Sequence, residues 1–295
     1  MLGGDLLAVE FGVSGGCTMP ELPDLIYVLS RLREKLPGRE VTAERVREPV
    51  VLRFTVQGNL SLLLGRTLAD VFRKSHFLVF RFEGLDLAVN PMLAGRFRLA
   101  EPGKSDEKSL GFALGFGDLE LRYLDNKKMG KAYLIATDDW QAIPGLKTGG
   151  LDILSPEFTP ERFVSLLKHR RDQVRVFLLD KKALDSLGNA YADEVLFEAG
   201  IHPKTFCRAI SHDDGVRLHD AIVRVMNEAV AEVEARGEPI DVKVRDFLKV
   251  RRKETCPRCG GKIRTAGVRG MDAWFCPRCQ PASRPGFVDW TRVGK

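Results

Sequence analysis

The chain has 295 residues, 44% of them hydrophobic, which is enough for two medium domains and a small module. No apolar run approaches the length of a membrane-spanning helix, so an integral helical membrane protein is excluded. The net charge of +6 is uneven: residues 241–295 carry 14 Lys/Arg against 5 Asp/Glu, or +9, and residues 1–240 therefore sum to −3. A basic end on a nearly neutral body points to a polyanion partner, with a solubilising tail as the bland alternative.

The first eighteen residues, MLGGDLLAVEFGVSGGCT, lack a basic start, and Asp5 and Glu10 interrupt their apolar part. They read as no signal peptide, and a cytoplasmic protein is expected. Met19-Pro20-Glu21-Leu22-Pro23-Asp24 follows, and residues 24–36 place Leu25, Leu29, Leu32 and Leu36 at helical spacing. The Pro20-Glu21 corner then faces the positive end of a helix dipole.

Residues 41–136 break into short β-rich pieces, among them VLRFTV, LADVF, HFLVFRF, LDLAV, LGFALGF, LELRYL and AYLIA. Many short strands divided by Gly, Asn and Asp predict an antiparallel sandwich or barrel. Residues 137–157, rich in Pro, Gly and Asp, read as a linker. Beyond it the chain turns helical. TPERFVSLLKHRR starts at Thr159, and VRVFLLD and ADEVLFEAG predict shorter helices. A long helix follows, with Ser211 and Asp214 as a capping pair and an apolar stripe of Leu218, Ile222, Val225 and Ala229.

LLDKKALDSLGNAYADEVLFEAGIHP, residues 178–203, interrupts two helical pieces at Ser186-Leu187-Gly188-Asn189. Free amides and the Asn189 side chain at the start of the second helix would make a phosphate-binding corner, with Lys182 nearby. Read without a partner, the same residues are an N-cap in a helical hairpin. CPRCGGKIRTAGVRGMDAWFCPRCQ then carries Cys256, Cys259, Cys276 and Cys279 as two C-x2-C knuckles 16 residues apart. This spacing predicts a structural zinc site with no open coordination position. Lys262, Arg264 and Arg269 fall on the hairpin between the knuckles, a basic probe for a groove or backbone. A zinc ribbon alone also serves protein contacts.

MPELPD, the GNAYADE turn and CPRC…CPRCQ occur in one order and together resemble the Fpg/Nei family of DNA glycosylases, over Met19 to about Gln280. The resemblance implies an α+β multidomain protein. It divides the chain into an extension or misassigned start (1–18), an N-terminal β-sandwich catalytic domain (19–136), a linker (137–157), a helical DNA-binding domain with a helix–two-turns–helix motif (158–250), a zinc finger (251–282) and a tail (283–295). It implies one structural Zn2+, damaged DNA as the partner, no membrane association, a monomer, and a bacterial-type cytoplasmic enzyme bound to the nucleoid when on DNA.

By the same resemblance, the amine of an N-terminal Pro20 attacks the sugar C1′ of a flipped nucleotide, expels the base and forms a Schiff base. β-Elimination, and in some members δ-elimination, then cuts the strand. Glu21 handles protons, Lys182 and Asn189 hold phosphate, and Leu93 and Met129 wedge the stack beside Lys127. For Leu93 and Met129, simple core packing is the competing account. The Pro20 amine exists only if translation starts at Met19 and that methionine is removed, which is the expectation here.

Three departures stand out. His76 occupies the place of a lysine, with Lys74 two residues earlier and on the same face if the strand is regular. A histidine there can still move a proton. Met271 occupies the place of an arginine, with Arg269 two residues back. Only KVRRKET, residues 249–255, separates RDFL from Cys256, where members that recognise oxidised guanine carry a longer stretch with a loop over the base. The expected lesion is therefore not mainly 8-oxoguanine. A DNA-binding protein that keeps the fold with altered or lost chemistry is the alternative.

Overall fold

The computed structural model describes residues 20–282, except 104–106, 145, 147–149 and 186. The extension at 1–18 and the tail at 283–295 therefore lie outside the described residues.

Helix α1 (Leu22–Lys35) begins with Pro23 in its first turn and Glu21 as N-cap, two residues earlier than the leucine spacing suggests. The Glu21 amide donates to Asp24 Oδ2 at 2.7 Å, which closes the first turn from the other side. Its apolar stripe is shared between two cores. Leu22 belongs to the core of the helical half, which also holds Phe177, Leu187 and Tyr191. Leu25, Val28 and Leu32 pack with the strands. The helix thus bolts the two halves together, and its N-terminus emerges at the seam.

The strands are β1 (Ala43–Val46), β2 (Leu52–Phe54), β3 (Leu68–Lys74), β4 (Phe77–Phe82), β5 (Leu85–Asn90), β6 (Arg96–Ala100), β7 (Leu110–Phe116), β8 (Leu119–Leu124) and β9 (Lys131–Ala136). They form a four-stranded sheet in the order β1-β7-β8-β6 and a five-stranded sheet in the order β2-β9-β5-β4-β3. All pairings are antiparallel except β2 with β9. Phe112, Leu114 and Tyr123 of the first sheet meet Phe80, Leu87 and Leu134 of the second in one core, so the domain is a sandwich. β1, unmarked in the sequence, is a polar edge strand with no fully buried residue and so carries no alternation to read.

Within 137–157 the chain forms a short 3-10 turn at Trp140–Ala142 and β10 (Leu151–Asp152). β10 pairs in parallel with β11 (Leu184–Asp185) of the turn motif. The helical half consists of α2 (Pro160–Lys168), α3 (Val174–Leu178), α4 (Asn189–Ala199) and α5 (His212–Arg236). Thr159 caps α2 and Ser211 caps α5 through its Oγ, which accepts from the Asp214 amide at 3.1 Å. Leu218, Ile222, Val225 and Ala229 are all buried, as their spacing requires.

The last elements, β12 (Arg264–Val268) and β13 (Met271–Phe275), pair as the hairpin between the knuckles. Arg269 and Gly270 turn it with φ of +46° and +78°. The module is seated on the end of α4: Gln280 Nε2 donates to the Ile201 carbonyl, and Phe197 shares a core with Cys256, Ile263 and Cys276. Among the described residues no helix is long and apolar enough to cross a membrane.

Candidate active site and nucleic-acid interface

A cavity of about 250 Å³ opens at the seam between the sandwich and the helices. Pro20, Glu21, His76, Asn90, Lys181 and Gly188 are among the residues that line it. Glu21 is 6% exposed. Its carboxylate accepts from the amides of Ala190 at 2.9 Å and Tyr191 at 3.3 Å, in the first turn of α4. The sequence led us to expect those amides to be free for phosphate. Instead they hold Glu21, because a helix N-terminus favours the nearest anion and the end of α1 brings one to it.

Burial pushes the Glu21 carboxyl above its ordinary range, while Arg245 and the two amides pull it back. Arg245 reaches Glu21 only through space. Its guanidinium is bonded to both oxygens of Asp24, one of them at 2.9 Å. Gly188 admits this arrangement: a Cβ there would stand 2.2 Å from Glu21 Cδ.

His76 does not share a surrounding with Lys74. Ser75 takes φ +57° and ends the regular alternation of β3, so the two side chains part. The Lys74 ammonium sits over the Trp140 ring at 4.8 Å, and Lys74 is not among the cavity-lining residues. His76 lines the cavity, and its Nδ1 lies 2.8 Å from Ser75 Oγ. Ser75 Oγ in turn donates to Asp185 Oδ1 at 2.8 Å. A hydroxyl has one hydrogen, and an ionised carboxylate only accepts. With that hydrogen given to Asp185, Ser75 can only accept from His76, so the neutral ring carries its proton on Nδ1 and keeps a lone pair on Nε2.

The sequence-predicted DNA residues lie apart from the cavity floor. Lys182 and Lys127 are exposed, as are Leu93 (39%) and Met129 (43%), so neither apolar side chain is core packing. Asn189 opens α4, and its Oδ1 accepts from Arg175 at 3.3 Å. Arg264 is exposed on β12. Arg269, at the hairpin tip, is paired with Asp172 at 2.6 Å and remains 67% exposed. Met271, beside it, is 44% exposed.

Sequence reasoning missed Ser75, Asp185, Lys181, Arg175 and Arg251. Arg175 is fully buried and bonds Asp193 and the Asp272 carbonyl, which joins α3, α4 and β13. Arg251 bonds the other Asp193 oxygen at 2.6 Å and lies over the Trp274 ring. Only the doubled lysine of LDKKALD and its two aspartates could have marked Lys181 and Asp185 as unusual beside a turn.

The four cysteine sulfurs lie within 4.8 Å of one another. Cys256 and Cys279 are 3.8 Å apart, and Cys259 and Cys276 are 3.5 Å apart. A tetrahedral zinc with Zn–S near ~2.3 Å separates its sulfurs by about 3.8 Å, so the donor set fits one structural Zn2+. The Gly261 amide and the neighbouring thiols hold the Cys259 thiol down at about 7, towards the thiolate a metal takes.

A sandwich joined to a helix–two-turns–helix half, with an acid beside a proline at the seam and a four-cysteine zinc finger, defines the class of zinc-finger DNA repair glycosylases. Family models agree over most of the chain. The formamidopyrimidine-DNA glycosylase N-terminal domain matches residues 19–132, the formamidopyrimidine-DNA glycosylase H2TH domain residues 150–238, and the zinc finger found in FPG and IleRS residues 253–282. The chain belongs to the Fpg/Nei family of DNA glycosylases.

The formamidopyrimidine-DNA glycosylase of Brevibacillus brevis is 32% identical over 274 residues, covering 89% of this chain and 99% of that protein. That of Cytobacillus firmus is 31% identical over 278 residues, covering 89% and 100%. Among solved structures, a complex between the Lactococcus lactis Fpg and DNA containing an abasic site superposes with a TM-score of 0.80 at 27% identity, covering 89% of this chain and all of that one.

Proposed function

We propose that the chain excises damaged bases from DNA and then cuts the strand at the abasic sugar, with Pro20 as nucleophile once it is the N-terminal residue. One observation carries this reading: Glu21, the residue after Pro20, is buried at the N-terminus of α4 in the cavity that Pro20 and His76 also line. The family model's match beginning at residue 19 supports a chain that starts at Met19.

The chemistry follows from the groups. An α-amino group has a pKa near ~8, so a useful fraction is unprotonated at neutral pH. Its attack on C1′ breaks the bond to the base, and a secondary amine leaves a permanently charged iminium that draws electrons from C2′. Glu21, its carboxyl raised by burial, supplies the proton that the departing base or the ring oxygen needs. The Nε2 lone pair of His76 takes the C2′ proton, and the C3′–O bond breaks by β-elimination. Lys74, turned to Trp140, has no step.

Lys182, Asn189, Arg264 and Arg269 hold the backbone of damaged DNA, and Leu93, Met129 and Lys127 fill and face the gap left by the flipped nucleotide. The protein acts as a monomer. The linker to the zinc finger argues against 8-oxoguanine as the chief substrate. The amides of Lys249, Val250 and Arg251 all donate to Glu194, at 2.7, 3.0 and 2.9 Å, which ties the segment down on α4 with no length to arch over a base. A bulkier lesion, a single-stranded substrate or an abasic site suits the open cavity.

The test is a chain beginning at Pro20, given oligonucleotides with defined lesions and an abasic site under borohydride. Release of a lesion base and a reduced adduct on Pro20 are expected. Binding to the DNA with neither outcome would leave the non-catalytic DNA-binding protein as the surviving account.

A further inference from the structure

We propose that Lys181 is a second amine of the cavity, able to form a Schiff base with an abasic sugar without any participation of the Pro20 nitrogen. The proposal rests on the reading that this cavity receives an abasic sugar.

The two lysines of the turn behave differently. Lys182 is exposed, in the position of a backbone contact. Lys181 turns inward and lines the cavity with Pro20, Glu21 and His76. Its ammonium donates to the neutral carbonyl of Leu187 at 2.5 Å, one residue before Gly188. Gly188 is the point where Glu21 comes closest to the start of α4, and it lines the same cavity as Lys181. Glu21 and Asp185 act on the ammonium through space. Burial lowers the Lys181 pKa below the ordinary lysine range, and those two carboxylates only partly offset it. A desolvated lysine held by a neutral acceptor gives up its proton more readily than a surface one, which is what a nucleophilic amine requires.

The step balances without a co-reactant. The neutral Nζ adds to the C1′ aldehyde carbon of the opened sugar, and water leaves as the imine forms. The imine nitrogen takes a proton, a base removes the C2′ proton, and the C3′–O bond breaks with its electron pair on the departing phosphate. Water then hydrolyses the imine and returns Nζ. Unlike the iminium of a secondary amine, this imine can lose its charge, so the lysine route is the slower of the two.

The test uses the full 295-residue chain, its intact mass checked so that Met19 acylates the Pro20 nitrogen. It is mixed with an abasic-site oligonucleotide and borohydride, which reduces the imine to a stable amine. An adduct that maps to Lys181 after digestion, and is lost in Lys181→Arg, is expected. Arginine keeps the charge and the donor to Leu187 but is no nucleophile, and binding of this variant to the same oligonucleotide reports that it folds. No adduct from the full chain, an adduct on another residue, or an adduct that survives Lys181→Arg overturns the proposal. If Lys181→Arg does not fold, the mapped site in the unsubstituted chain decides by itself. The chain beginning at Pro20 separates the two readings. Trapping there on Pro20, with none in the full chain, sinks Lys181 and leaves the proline reading intact.

Discussion

Glu21 and Gly188 occupy the same space: a side chain on Gly188 would begin 2.2 Å from Glu21 Cδ and 2.3 Å from its Oε2. Gly188→Ala must therefore expel the carboxylate from the Ala190 and Tyr191 amides. Base excision is expected to fall by roughly 10²–10⁴-fold, the worth of a positioned acid–base group. Stability should drop by about 1–3 kcal/mol as buried amides lose their acceptor. Single-turnover excision and thermal melting read the two effects separately. Excision unchanged in this variant would remove Glu21 from the chemistry.

The same carboxyl gives a pH signature. Burial raises its pKa in the folded chain above the ordinary 4.5, so folding favours the protonated form. The stability linked to this group is present below about pH 4.5 and is lost as pH rises through the raised value. Glu21→Gln, which cannot ionise, should therefore melt higher than the unsubstituted chain at pH 7. The gap should close below pH 4.5. Melting curves of both proteins across pH 4–8 check it, and a gap that widens on acidification contradicts it.

Ser75 and Asp185 set the orientation of His76. Ser75→Ala or Asp185→Asn should slow strand cleavage at an abasic site about tenfold or more, part of the roughly 10²–10⁴ that proton transfer supplies. DNA affinity should hold, since neither residue faces solvent broadly. Ser75→Thr, which keeps the hydroxyl, should recover part of the rate. Equal losses in all three variants would mean a packing role and no tautomer control.

Asp24 and Arg245 form a nearly buried ion pair, with side chains 8% and 16% exposed. Removing one partner strands a charge, so Arg245→Ala should destabilise the chain by about 3–5 kcal/mol. Asp24→Asn combined with Arg245→Met should cost less than Arg245→Ala alone. Denaturant titration measures this, and additive losses would show that the two residues are not coupled.

Chelation should unfold the zinc finger and leave the sandwich and helices folded. Trp274, on β13 and under Arg251, would lose that stack, so its fluorescence should change with metal loss. DNA affinity should fall with it as the hairpin carrying Arg264 and Arg269 loses its shape. Affinity that survives complete zinc removal would assign the finger to another partner.

Much of the molecule was legible because its signals are local. The two cysteine knuckles, the cap and stripe of α5, and the short apolar runs of β4, β5 and β9 each follow from residues a few positions apart. MPELPD and the Gly188-Asn189 turn were legible as motifs for the same reason. What tertiary structure decided lies between distant residues. Glu21 meets Ala190 across 169 positions, and Ser75 meets Asp185 across 110. A hydrogen bond between two folded surfaces leaves no period or spacing behind. So the sequence by itself determined which chemistry-bearing residues the chain owns. Only the tertiary structure decided the rest: the packing of α1 into both cores brings Glu21 to the amides of α4, the turn at Ser75 takes Lys74 to Trp140 and out of the site, and the Leu187 carbonyl holds Lys181 in it.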